Sequence, residues 1–269
     1  MGPLGIPLLL GLTYDAVNNR LLGSTGTQLV QVNKATGHCT VLAPLGFGTV
    51  YGLVFDAATA TLAGTTGAQL LRIDADTGVG TAVGALGVVD IEGLAYDADA
   101  DTYYGTSVEV DQLFTIDPES GSATVVGNLG FGFVAGLAYD GLTHTLFGCD
   151  PQVDQLLTID TDTGDGTAVG ALGFSNVQGL AFDAASGTLY GVDVQTDQLL
   201  TISRSTGQAT AVGPLGFANV KGLEFDDATG TLLGTDAATL QMIRIDPATG
   251  AGTALGPTRY RVDGLAGHL

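Results

Sequence analysis

The chain has 269 residues, 42 of them glycine, with 28 acidic side chains against 8 lysines and arginines and a formal net charge of −20. Such a surface repels a polyphosphate backbone, which excludes nucleic acid as a partner on charge grounds. No apolar run approaches the roughly 20 residues a bilayer-spanning helix needs, and Val, Ile, Thr and aromatics set between Gly, Asp and Thr argue for short strands joined by tight turns.

The apolar stretch over residues 3–12 has neither a basic leader nor a small-residue cleavage site, so it is read as part of the fold and not as a signal peptide. Gly2-Pro3-Leu4-Gly5-Ile6 followed by Gly11-Leu12-Thr13-Tyr14-Asp15 repeats later as Gly213-Pro214-Leu215-Gly216-Phe217 followed by Gly222-Leu223-Glu224-Phe225-Asp226. Copies of Gly-Leu-x-Tyr/Phe-Asp start at Gly11, Gly52, Gly93, Gly136, Gly179 and Gly222, 41 to 43 residues apart, with a truncated start at Gly264. That period is the length of a four-stranded propeller blade. The expected fold is all-β: one six-bladed β-propeller domain over residues 1–269, four antiparallel strands per blade, with 264–269 left over as a tail.

Within the fifth repeat the strands read as Gly179–Asp183 (A), Thr188–Asp193 (B), Gln198–Ile202 (C) and Gln208–Val212 (D), from hub to rim. Leu180 and Phe182 share one face of A, and Leu200 and Ile202 one face of C, by the two-residue period. A lone blade cannot bury both faces, so its neighbours must. The A-to-B turn follows a constant aspartate (Asp15, Asp56, Asp97, Asp140, Asp183, Asp226), whose carboxylate is expected to cap the turn. The C-to-D hairpins, such as Ile73-Asp74-Ala75-Asp76-Thr77-Gly78 and Ile245-Asp246-Pro247-Ala248-Thr249-Gly250, carry the same chemistry. Asp160 to Gly166 superficially matches a calcium loop but has Ala171 where the bidentate glutamate belongs, and is read as a hairpin turn. In blades three to five an Asp-Gln pair ends a longer B-to-C loop.

The Gly-Leu-Ala-Tyr-Asp, Leu-Tyr-Gly-x-Asp and Gln-Leu-Leu-Thr-Ile-Asp series resembles the NHL-type blade and its relatives in bacterial secreted and surface propellers, over essentially the whole chain. It departs from NHL blades in having Asp-Gln where they have an Asn-Arg pair before strand C. The absence of tryptophan argues against WD-repeat, Asp-box and quinoprotein blades, and the kelch glycine doublet is missing. The resemblance implies an architecture and a secreted or cell-surface location, not one activity.

Blade six can complete its own four strands through Thr253-Ala254-Leu255, leaving residues 2–9 to run along its outer edge. Cys39 and Cys149 fall in blades facing each other across a six-membered ring, beyond disulfide reach, so both are expected to be free thiols.

Symmetry breaks at the residue before each anchor glycine: Leu10, Tyr51, Glu92, Ala135, Gln178, Lys221 and Asp263. Because strand A lines the hub, Tyr51, Glu92, Gln178, Lys221 and Asp263 are candidates to rim one tunnel mouth and bind a small polar ligand, with Glu224 as a further candidate. His38, His144 and His268 lie in different blades or the tail, so no histidine pair has metal spacing and no catalytic triad is nominated. Arg259-Tyr260-Arg261 is read as closure packing. The leading reading is a noncatalytic, monomeric binding or scaffold propeller, without a cofactor, for a protein or small polar ligand. The rival is a lactonase or gluconolactonase-type hydrolase holding a divalent cation in the tunnel through Glu92, Glu224 or Asp263 with Gln178. A third reading is a recently amplified or engineered repeat chain with no evolved ligand.

Overall fold

The computed structural model describes residues 11–15, 17–25, 27–33, 39–48, 50, 53–56, 61–66, 68–88, 91–97, 99–107, 109–226, 229–236, 238 and 241–257. Every regular element among them is a β-strand. Blade one comprises β1 Gly11–Asp15, β2 Arg20–Ser24, β3 Gln28–Val32 and β4 Cys39–Pro44, and blade two β5 Leu53–Asp56, β6 Thr61–Thr65, β7 Gln69–Asp74 and β8 Gly80–Ala85. Blade three is β9 Ile91–Asp97, β10 Thr102–Ser107, β11 Gln112–Ile116 and β12 Ala123–Asn128; blade four is β13 Gly136–Asp140, β14 Thr145–Asp150, β15 Gln155–Ile159 and β16 Gly166–Ala171. Blade five has β17 Val177–Asp183, β18 Thr188–Asp193, β19 Gln198–Ile202 and β20 Ala209–Pro214, and blade six β21 Val220–Asp226, β22 Thr231–Asp236, β23 Gln241–Ile245 and β24 Gly252–Pro257. Each sheet pairs its four strands antiparallel in chain order, so blade six is complete from its own chain segment. Residues 2–9, 259–261 and 264–269 lie outside the described residues.

The blades stack face to face in chain order, and among the described residues each seam from blade one through blade six is a separate apolar cluster. Leu180, Phe182, Leu200 and Ile202 of blade five bury against Ala138, Phe147, Cys149 and Leu156 of blade four. The alternate residues Ala181, Tyr190, Val192 and Leu199 bury against Leu223, Phe225 and Leu232 of blade six. The shared faces expected from the two-residue period are therefore the ones that pack. Where strand A carries alanine, its partner on strand B is aromatic: Ala95 opposite Tyr104, Ala138 opposite Phe147, Ala181 opposite Tyr190. A ring lying over a methyl fills the seam without forcing the blades apart.

A buried leucine in each connection from strand D to the next strand A latches the blades. Leu172 donates its N–H to Asp154 O in the B-to-C loop of blade four (2.9 Å) and accepts from Ala209 N at the start of β20 (3.0 Å). Its side chain meanwhile sits in the seam between those two blades. Leu86, Leu129 and Leu215 repeat both bonds at their own seams.

The C-to-D hairpins are capped as their sequence suggests. Asp117 accepts the N–H of Glu119 (2.9 Å) and of Ser120 (2.6 Å), and Asp160 accepts those of Asp162 and Thr163 (both 2.9 Å), which makes the calcium-like segment a hairpin turn. Backbone and hydroxyl donors hold the Asp117, Asp160 and Asp246 carboxyls below the ordinary aspartate range. A folded value below the unfolded one means that this stabilisation is complete above about pH 4 and is lost as pH falls through the lowered folded value. The triple variant D117N/D160N/D246N is therefore expected to be less stable than the parent near neutrality. Its urea midpoint should converge on the parent's as pH falls through the lowered folded values; curves that stay parallel throughout that fall would show that the carboxylates are not the source. Among the described residues no helix is long and apolar enough to cross a membrane.

Candidate functional site

At the leading ends of the inner strands, the connections from strand D and the B-to-C loops form one surface. Two of these connections are pinned by loop aspartates. Asp154 accepts the N–H of Asn176 (3.3 Å) and Asp197 that of Asn219 (3.0 Å), and both asparagines adopt the left-handed backbone. Two residues beyond each asparagine stand Gln178 and Lys221, both half-buried. A β-bulge between Val177 and Gly179, and its equivalent between Val220 and Gly222, falls at these residues. Neighbouring inner strands touch there through backbone: a Cβ on Gly179 would lie 2.5 Å from Lys221 O, and one on Gly136 2.5 Å from Gln178 O. Glycine is required at this close approach.

The candidates from the sequence separate as follows. Gln178 and Lys221 occupy equivalent places on adjoining inner strands, and the Gln178 amide donates to Asn176 Oδ1 (2.7 Å). Glu92 lies at the matching place on β9, its side chain outside the described residues, as are Tyr51 and Asp263. Glu224 is mid-strand and buried, in one cross-strand row with Leu233 and Arg244 on the face of blade six turned away from blade five. It is on a blade face, not at a strand's leading end.

The strand B termini lie at this same end. They are Ser24, Thr65 and Ser107 in the first three blades and Asp150, Asp193 and Asp236 in the last three, all buried. The carboxylates hold the B-to-C loops: Asp150 accepts the N–H of Gln152 (2.8 Å), Asp193 the N–H and hydroxyl of Thr196, and Asp236 the N–H of Ala238 (2.8 Å).

At the opposite end, Asp15, Asp97, Asp140, Asp183 and Asp226 cap the A-to-B turns, the Asp56 side chain lying outside the described residues, and some do more. Asp15 takes Arg20 Nε at 2.5 Å, and the same guanidinium reaches Asp76 of blade two at 2.6 Å. Burial opposes ionisation of Asp15, but Arg20 and the Asn18 donors outweigh it and leave its carboxyl below the usual range. Asp140 pairs with Arg204 of blade five, whose guanidinium also lies over the Phe182 ring, 5.3 Å from its centroid. Asp97 instead accepts the Tyr139 phenol (2.5 Å), which stands 3.4 Å from His144 Nδ1; that nitrogen is 3.9 Å from Asp99 Oδ2. Burial, then the hydrogen bond to Asp97, pushes the Tyr139 phenol above its ordinary value.

One lateral cavity of about 250 Å³ opens between blades two and three, beside Ala63, Arg72, Tyr103 and Glu119. Ala63 stands where the other blades carry Leu22, Tyr104, Phe147, Tyr190 and Leu233, so the smallest side chain of this row lines the hollow.

Both cysteines are free thiols. Burial pushes the Cys149 thiol up to about 12, so it is expected to stay unreacted with an aromatic disulfide reagent at mildly alkaline pH until the chain is unfolded. Full labelling in the native state would show that the seam between blades four and five opens.

No protein-family model matches the chain, and no curated protein matches it. Among solved structures, a chain of a nidogen/laminin complex superposes with a TM-score of 0.78 at 19% identity, over 92% of this chain and 97% of that one. A virginiamycin B lyase from Staphylococcus aureus gives 0.64 at 15% identity, over 93% and 84%. A protein of unknown function from Bacteroides thetaiotaomicron gives 0.68 at 15%, over 87% and 68%. Identities this low carry architecture and not activity. Six four-stranded antiparallel blades, packed in chain order and matched over most of their length by these structures, make the chain a six-bladed β-propeller.

Proposed function

We propose that this propeller is a noncatalytic, monomeric binding module of a secreted or cell-surface protein, which receives a protein or a small polar ligand at the mouth where Gln178 and Lys221 stand. The observation that carries the reading is the contrast between what the repeats keep and what they vary. Seam residues, turn caps and latching leucines recur, while the residue before each anchor glycine changes from blade to blade on a backbone braced by Asp154 and Asp197. Variable side chains on rigid, pinned loops are the usual composition of a recognition surface. The nidogen/laminin complex supports the idea that this architecture serves as a protein-binding platform.

A cation-dependent hydrolase is less favoured by the geometry. It needs Gln178 and an acid such as Glu224 to converge, yet Glu224 is buried on a blade face and not at the leading end where Gln178 stands. The test pairs two measurements on the full chain. A panel of sugars, organic acids and peptides is screened by thermal shift, and any hit is repeated with Q178A/K221A; loss of the shift in that variant supports the mouth. A lactone panel is assayed with calcium, manganese and zinc, and turnover above background that falls in E92Q would replace the binding reading with the hydrolase.

A further inference from the structure

We infer that the end of the ring opposite that mouth carries a divalent-cation site of the zinc type, formed across one seam by Asp97 and Asp99 of blade three and His144 of blade four. One ligand atom from each residue lies within 4.8 Å of the others. Bonds of about 2.0–2.2 Å from zinc to imidazole nitrogen and carboxylate oxygen place ligand atoms roughly 3–4 Å apart, so small rotations of the two exposed side chains, Asp99 and His144, close the set. Asp97 provides the fixed point. It is buried, its Oδ1 accepts the N–H of Asp99 (3.0 Å) and of Ala100 (3.1 Å), and its Oδ2 accepts the Tyr139 phenol. A ligating carboxylate held by hydrogen bonds of this kind is oriented before the ion arrives.

Two other seams carry a cation of their own at this place. Arg20 is the built-in cation beside Asp15, and Arg204 the one beside Asp140. Beside Asp97 no lysine or arginine forms an ion pair among the described residues; a second acid and an imidazole converge there instead. A buried turn aspartate needs no cation for its own sake, because Asp183 is held by the amides of Ala185 and Ser186 and the Ser186 hydroxyl alone. What distinguishes the Asp97 seam is the added pair of ligands. An imidazole among the donors favours zinc and its neighbours over calcium or magnesium, which prefer oxygen alone. The bound ion would join two blades, as the arginines do elsewhere.

The test is calorimetric titration of zinc chloride into the full chain near neutral pH, with H144N, D99N and C39S in parallel. Asparagine suits position 144, since the backbone there has φ 52° and Asn19 holds the matching turn position of blade one at φ 52°. A single saturable equivalent is expected, weakened about tenfold or more in H144N and D99N and unchanged in C39S, with a zinc-dependent rise in melting temperature that both ligand variants lose. Absence of saturable binding below roughly 1 mM zinc, or binding that both variants retain, would overturn the site, the second result pointing to diffuse attraction by the acidic surface. Tighter binding of calcium than zinc would also overturn it. Zinc that survives H144N but is lost in E92Q belongs to the mouth and counts against both this site and the noncatalytic reading, whereas failure here alone leaves that reading untouched.

Discussion

Replacing Gly127 with alanine is expected to destabilise the chain by about 3 kcal/mol, the upper range for forcing a methyl into a full contact. Its Cβ would fall 1.9 Å from Thr163 O and 3.0 Å from Thr163 C, in the C-to-D hairpin of the next blade. Those are backbone atoms, which cannot swing aside. Gly84 against Ser120 O (1.7 Å), Gly170 against Thr206 O (2.2 Å) and Gly213 against Thr249 O (2.2 Å) repeat the contact. Blade one carries Ala43 in the matching register, facing Gly78, so the substitution pushes a seam apart without forbidding the fold. Equilibrium urea unfolding reads the loss, and a change below about 1 kcal/mol would show that the hairpin gives way freely.

Leu172→Ala should cost a similar amount, about 3 kcal/mol, by a different route. The side chain is wholly buried in the seam between blades four and five, and truncation leaves a cavity that both sheets must collapse to fill. Because the latch bonds of Leu172 use backbone atoms, alanine keeps them. The measured loss therefore isolates packing from hydrogen bonding. Calorimetry should show a drop in melting temperature of about 5 °C, and a shift of about one degree or less would place the seam's stability elsewhere.

The fold was legible because its determinants are local and repeated. Strands B and C of blade five begin and end where the pattern of Leu, Tyr and Ile places them. Strand A starts two residues earlier than expected, at Val177, because the bulge at Gln178 breaks the two-residue period that marks a strand. The mouth was legible only as a position: aligning the copies exposes Gln178 and Lys221 as variable, but not the Asp154 and Asp197 braces that come from the preceding blade. The Asp97, Asp99 and His144 group was hidden for the same reason. His144 and Asp99 hold different positions in their respective turns, so stacking the repeats in an alignment never sets them side by side. Only lateral packing of one blade on the next does.

That lateral matching also gives the blades an order. The ring-over-methyl pairs in blades three to five make those faces near-equivalents, whereas the face with Val54 and Ala63 fits a neighbour bringing Tyr103. Shuffling gene segments would thus be tolerated among the later copies and penalised at the second. A chain with blade two moved opposite leucine-bearing repeats would inherit a hole it has no side chain to plug.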